Sequence, residues 1–302
     1  MSGKTIGAIL LMVIAILIIV PIGFSGQADG NNVVVTYGET TYNNADYKSI
    51  VDNYFGVSNA KESVITASDV NEISSGISQR YYNSNQIFSC AMLDLSSNNN
   101  IRIDVDTSRI TTVTPSMYKS ALESAGITKG YVKITSPVSA TGESALAGVM
   151  KSYETSTGKE IPTEVKDAAN NEIYTETSIV NNTGASADDV AKIMSEIKEE
   201  VAKQNTTDRQ TIINIVNNVI NNYNINISDN DIDNIVTSVQ QTQAVQDKAV
   251  DYQNQISDYI NSSEGQSFID SIINFINSFL NGGNSVKIDS SELSSNINNL
   301  SN

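Results

Sequence analysis

The sequence has 302 residues, 34 of them acidic against 18 basic, for a formal net charge of −16 and a pI near 4.3. Such a field repels phosphate backbones, and no basic stripe offsets it, so nucleic acid is excluded as a partner. The chain has no histidine, which removes the commonest general base and metal ligand, and its one cysteine, Cys90, rules out an intrachain disulfide.

In chain order, the first signal is an uncharged apolar run from Thr5 to Phe24, close to the ~20 residues that span a bilayer as a helix. Lys4 precedes it, and Asp29, Glu39 and Asp46 follow it, so the positive-inside bias places the N-terminus in the cytoplasm and exports the body. Two readings stand. Pro21 and the small-x-small tripeptide Gly26-Gln27-Ala28 fit a cleaved signal peptide, whose product is secreted. The length of the run instead fits a retained single-pass anchor, which makes the membrane a partner.

The exported remainder is longer than a usual domain of about 100–200 residues, so it is read as two modules. The expected fold class is α+β: an N-terminal membrane segment over 1–30, a mixed-sheet α/β module over 31–158, an all-helical module over 159–283 and a polar, disordered tail over 284–302. In the first module, β-branched runs predict strands over 33–37, 63–66, 87–95, 101–105 and 131–135. The polar loop 96–100 predicts an antiparallel hairpin between the third and fourth. Helices are expected over 45–55, closed by Gly56, and over 117–125, opened by Thr114-Pro115 and closed by Gly126. Another should start near Asp69, which has capping-box spacing to Glu72, and another should span 144–156. Two helix–Gly–strand–helix units around the hairpin would amount to a weak internal duplication.

After Gly158 the pattern is helical: 164–177, 188–204, 208–223, and a long helix from Asp229. Its stripe continues through Val245, Ala249, Tyr252, Ile256 and Tyr259 at 4-3-4-3 spacing, which suits a coiled seam or a long hairpin arm, and with residues 268–280 it could form a homo-oligomer seam. A last helix over 266–280 has a broad apolar face, and its Phe268, Ile272, Phe275 and Phe279 are a candidate partner-binding face.

The segment order resembles a YpuA-like family of exported proteins that carries a domain of unknown function. The resemblance covers roughly residues 36–282. It is carried by Tyr54-Phe55-Gly56-Val57, by Thr114-Pro115-Ser116-Met117-Tyr118, by Ser136-Pro137-Val138-Ser139-Ala140-Thr141-Gly142 leading to Ala145-Leu146-Ala147-Gly148, and by Asn222-Tyr223-Asn224-Ile225-Asn226-Ile227. It implies export and a two-part layout, and it brings no activity, cofactor or catalytic residue.

No residue set specifies a catalytic centre, a cofactor or a metal. Asp229-Asn230-Asp231-Ile232-Asp233 mimics the start of a calcium loop, but Asn234 stands where glycine is needed and Gln240 where glutamate is needed. Asp104 and Asp106 share a strand face and could meet a cation, though polarity at a strand end explains them as well. The most suggestive stretch leads from a strand into a helix N-terminus, with Ser136, Ser139, Thr141 and Gly142 as a candidate ligand pocket. The expected function is a structural or binding role at the cell envelope, for a protein partner or a polymer. The alternative is a carboxylate-dependent hydrolase of cell-surface polymer, since paired acids work without histidine.

Overall fold

The computed structural model describes residues 33–74, 81–96, 100–223 and 225–261. The apolar run Thr5–Phe24, the last helix expected from the sequence with its Phe268, Ile272, Phe275 and Phe279, and the polar segment after it lie outside the described residues. No helix among the described residues is long and apolar enough to cross a membrane.

The described chain is a mixed α/β fold with a five-stranded sheet followed by a helical C-terminal part. The first part runs β1 (Val33–Gly38), α1 (Glu39–Tyr42), α2 (Ala45–Phe55), β2 (Lys61–Ile65), α3 (Ala67–Ser74), β3 (Cys90–Asp94), β4 (Arg102–Val105), α4 (Pro115–Ser124), β5 (Tyr131–Thr135) and α5 (Glu143–Thr157). The rest is α6 (Thr163–Thr183), α7 (Ala187–Gln204), α8 (Arg209–Asn221), α9 (Asp229–Ala244) and α10 (Gln246–Asn261).

The local signals act as their chemistry requires. The Asn44 side chain accepts from the amides of Asp46 and Tyr47 to open α2, and Ser186 and Ser228 do the same for α7 and α9. The box at α3 sits three residues earlier than its expected place. Thr66 is the cap, its hydroxyl accepting from the Asp69 amide while the Asp69 carboxylate accepts from the Thr66 amide at 2.8 Å. Aspartate thus takes the place glutamate usually holds in this reciprocal pair.

The sheet order is β2-β1-β3-β5-β4. The β1/β2 and β4/β5 pairs are parallel, and β3 lies antiparallel to both β1 and β5. The expected hairpin of β3 with β4 is therefore wrong: β5 inserts between them. The reason lies in the side chains. Cys90, Ala91, Met92 and Leu93 are all buried, so β3 needs cover on both faces and neighbours on both sides, whereas Arg102 and Asp104 suit β4 to an edge. Each parallel pair is bridged by a helix ended by a left-handed glycine, Gly56 or Gly126. The two similar units thus flank one antiparallel strand, not a hairpin.

On one face, Val33, Val35, Tyr37, Cys90 and Met92 pack against Val51 and Phe55 of α2. On the other, Ala91, Leu93, Val132 and Ile134 meet α4 and α5, and the same core continues across Gly158 to Val165, Ala169 and Ile173 of α6. A second core joins Ile179 at the far end of α6 to α7, α8 and α9. Helix α6 therefore belongs to both cores. The long helix expected from Asp229 breaks at Val245 into α9 and α10. Val245, Ala249, Tyr252 and Ile256 are buried in the first core, so this part of the seam packs inside the chain.

Candidate functional site

The segment singled out in the sequence connects β5 to α5. Its backbone is bound to the stretch after β4: the Ala140 amide donates to the Arg109 carbonyl, and the Thr111 and Val113 amides donate to the carbonyls of Ala140 and Thr141. Ser139 and Thr141 are exposed, whereas Ser136 and Gly142 are buried, so the four candidates do not converge on one cavity. Gly142 has φ +109°, and a Cβ on it would lie 2.7 Å from Ile110 and 2.7 Å from the Tyr118 hydroxyl. That hydroxyl donates to the Gly142 carbonyl at 2.5 Å. Glu143 places its own buried carboxylate in the first turn of α5, facing the positive end of the helix, and accepts from the Thr141 hydroxyl. The Ser136 hydroxyl is buried without a hydrogen-bond partner.

A second polar group lies on the sheet face beyond the end of α2. Arg102 and Asp104 on β4 stand opposite Tyr131 and Lys133 on β5. The Tyr131 hydroxyl donates to Asp104 at 2.6 Å, the Arg102 guanidinium pairs with Asp104 at 2.9 Å and lies over the Tyr131 ring, and Lys133 donates to the Tyr54 carbonyl at 2.7 Å. These side chains are half-exposed or exposed. Burial lowers the Lys133 ammonium pKa, and burial with the nearby acids pushes the Tyr54 phenol up to about 12. Asp106, next along, is partly desolvated, but hydrogen bonds from Ser108 and Thr135 outweigh that and hold it below the ordinary carboxylate range. Asp104 and Asp106 are thus both engaged by protein groups.

The third group is buried at the junction of α4, α6 and α7. The Glu172 carboxylate is fully buried and accepts from Ser120 at 2.6 Å and Ser124 at 2.7 Å. Lys198 donates to it at 2.6 Å, to both serine hydroxyls at 2.8 Å, and to the Ser120 carbonyl at 3.1 Å. Ser120 also lies 3.3 Å from the Ser195 hydroxyl. One turn along α6, Glu176 is fully buried and neither of its carboxylate oxygens has a hydrogen-bond partner. Burial, reinforced by Glu172 and opposed by Lys198, drives its pKa well above the ordinary carboxylate value.

This arrangement superficially resembles a serine–lysine dyad. Lys198 is ion-paired, however, so it has no lone pair to accept the Ser120 proton, and Ser120 is sealed from solvent. The buried Glu172 and Glu176 likewise face no open cleft, so the hydrolase alternative gains no support from them. Sequence reading missed this cluster, although a signal existed. Val165, Ala168, Ala169, Glu172, Ile173, Glu176 and Ile179 share one helical register, which puts two acids in an otherwise apolar stripe. At the calcium-like stretch, Asp231 is bound to Ser228 and Asn182, and Asp233 pairs with Arg209. Among the described residues, no three acids, cysteines or histidines are grouped to hold a metal.

Fold and sites together define a mixed-sheet protein with a helical extension, a polar shelf on one sheet edge and a buried ion-pair cluster. Residues 37–259 match the model of the family described as a protein of unknown function, DUF1002, and the chain belongs to that family. It is 27% identical over 283 residues to the uncharacterized protein YpuA of Bacillus subtilis (strain 168), covering 90% of this chain and 95% of that protein. No solved structure matches the chain.

Proposed function

We propose that the chain is an exported protein that binds a polar partner at the cell envelope, tethered by Thr5–Phe24 or released after cleavage. Export rests on the uncharged run, the lysine before it and the acidic residues after it. Binding rests on one observation: the β4–β5 shelf presents a guanidinium, a carboxylate, an ammonium and aromatic rings side by side on two strands. Groups fixed on strands lose little freedom on binding, and mixed donors and acceptors suit a protein segment or a hydroxyl-rich polymer. The apolar residues Phe268, Ile272, Phe275 and Phe279, read from the sequence, would supply a further contact for a protein partner or a second copy of the chain.

A photoreactive residue placed at the exposed Asn100, two residues before Arg102, tests the shelf in intact cells. The expected result is a discrete crosslink to an envelope component, lost when Asp104 and Tyr131 are both replaced by alanine in a variant whose circular dichroism is unchanged. A crosslink pattern indifferent to those two replacements would count against the shelf.

A further inference from the structure

The proposed shelf leaves the most costly feature of the molecule unexplained. Glu176 is fully buried and unpartnered, yet a carboxylate is among the most expensive groups to bury alone. Lys198 does not serve it, because the ammonium's three donors are already engaged by Glu172, Ser120 and Ser124. Among the described residues, the charges that act on Glu176 are Glu172 on its own helix and Lys198 on α7.

The other helices packed on α6 bring no further unpaired charge to it. On α4, Glu123, held above the ordinary carboxylate range by burial, feels Lys198 and Glu172 but is paired with Lys119; on α5, Glu154 pairs with Lys166; on α9, Asp231 is bound by Asn182; on α10, Lys248 pairs with Glu164. Glu72 of α3 acts on Asp167, a different residue of α6. Two carboxylates and one ammonium leave one negative charge to neutralise. A metal ion would need several free oxygen ligands, but the serine hydroxyls here are already bonded to Glu172 and Lys198. A proton needs none.

Position decides what that proton controls. Glu176 lies between Ile173, which belongs to the first core, and Ile179, which belongs to the second, on a helix that, like α7 through Ala191, serves both. Helix α7 carries Lys198 and supplies Val190, Ile193, Met194 and Ile197 to the second core. We propose that Glu176 is a proton-operated latch: protonated, it lets α7 dock on α4 and α6, and ionised, it loosens that junction and uncouples the second core from the first.

The sign follows from linkage. An acid that holds its proton more tightly when folded stabilises the docked state fully up to its unfolded pKa of about 4.3. As pH climbs from there towards the folded pKa, docking weakens by up to tenfold in the opening equilibrium per pH unit. Hydrogen exchange on the full chain between pH 5 and pH 9, corrected for intrinsic exchange rates, reads this directly. The wild type should show opening of α7 and the second half of α6 that rises by more than tenfold across the range, with β3 and β5 unaffected. Glu176→Gln and Glu176→Met should both flatten that rise. An equal pH response in wild type and in either folded variant would overturn the latch, and so would failure of both neutral variants to fold.

Discussion

The ammonium of Lys198 lies 2.6 Å from the Glu172 carboxylate, a group with no exposure to solvent, and holds α7 against α6. Burying the pair costs desolvation, but removing one member costs more, because the other is left charged and alone. Lys198→Met should therefore destabilise the protein by roughly 3–5 kcal/mol. Replacing both residues by methionine should recover most of that loss. Urea unfolding, read as a shift in midpoint at constant slope, measures both variants.

Gly56 and Gly126 both adopt left-handed backbone, with φ of +67° and +74°, but their surroundings differ. Nothing lies within 4 Å of a Cβ placed on Gly56, whereas one on Gly126 would collide with the backbone carbonyl of Ala249 in α10. Gly56→Ala should cost about 1–2 kcal/mol from conformation alone. Gly126→Ala should add about 1–3 kcal/mol, because α10 must give way. Thermal unfolding of the two variants side by side checks the difference.

Cys90 should be chemically silent. It is fully buried on β3, and burial pushes its thiol up to about 12, so little thiolate exists at neutral pH. A thiol reagent should label the native protein at the rate of unfolding, and at full speed in denaturant. Rapid labelling of the native protein would contradict this placement.

Strand order can be tested with the same residue. Cys90 pairs with Thr135 across β3 and β5, whereas the expected five-residue hairpin would instead have set it opposite Asp106. Thr135→Cys should form a disulfide with Cys90 when the protein is refolded under mildly oxidising conditions, since the native Cys90 thiol is sealed. Asp106→Cys should not, because a strand lies between them and the gap of about 10 Å between next-nearest strands exceeds disulfide reach. Mass spectrometry of tryptic peptides distinguishes the outcomes.

Much of the fold was legible because local chemistry settled it. Thr114, Ser186 and Ser228 mark helix starts, and four of the five strands carry β-branched residues, β3 standing out instead by its apolar stretch. Strand pairing was not legible, because a loop of hairpin length permits a neighbour without requiring one. Only the two-faced burial of β3 and the polar Arg102 and Asp104 of β4 point to the inserted strand. The bend at Val245 left no breaker residue to read; its one trace in the sequence is the six-residue step from Val239 to Val245, which breaks the three-and-four spacing of the apolar stripe.

The sites divide the same way. Asp104 stands out on its strand in the sequence, but its link to Tyr131 depends on the parallel β4–β5 register, which joins residues far apart along the chain. The Glu172 cluster unites α4, α6 and α7, so its members are far apart in sequence. In turn, Ser136, Ser139, Thr141 and Gly142 looked like a pocket because a glycine before a helix can expose amides. Here, tight packing of Gly142 on Ile110 and Tyr118 already accounts for that glycine.

The most direct test of the proposed role is protease accessibility of the full chain in intact bacterial cells with the outer layers made permeable. Export predicts digestion of the body while a cytoplasmic marker survives, with the undigested chain found in the membrane fraction if Thr5–Phe24 is retained or in the medium if it is cleaved. A body that stays protected in intact cells and is digested only after lysis would contradict the account.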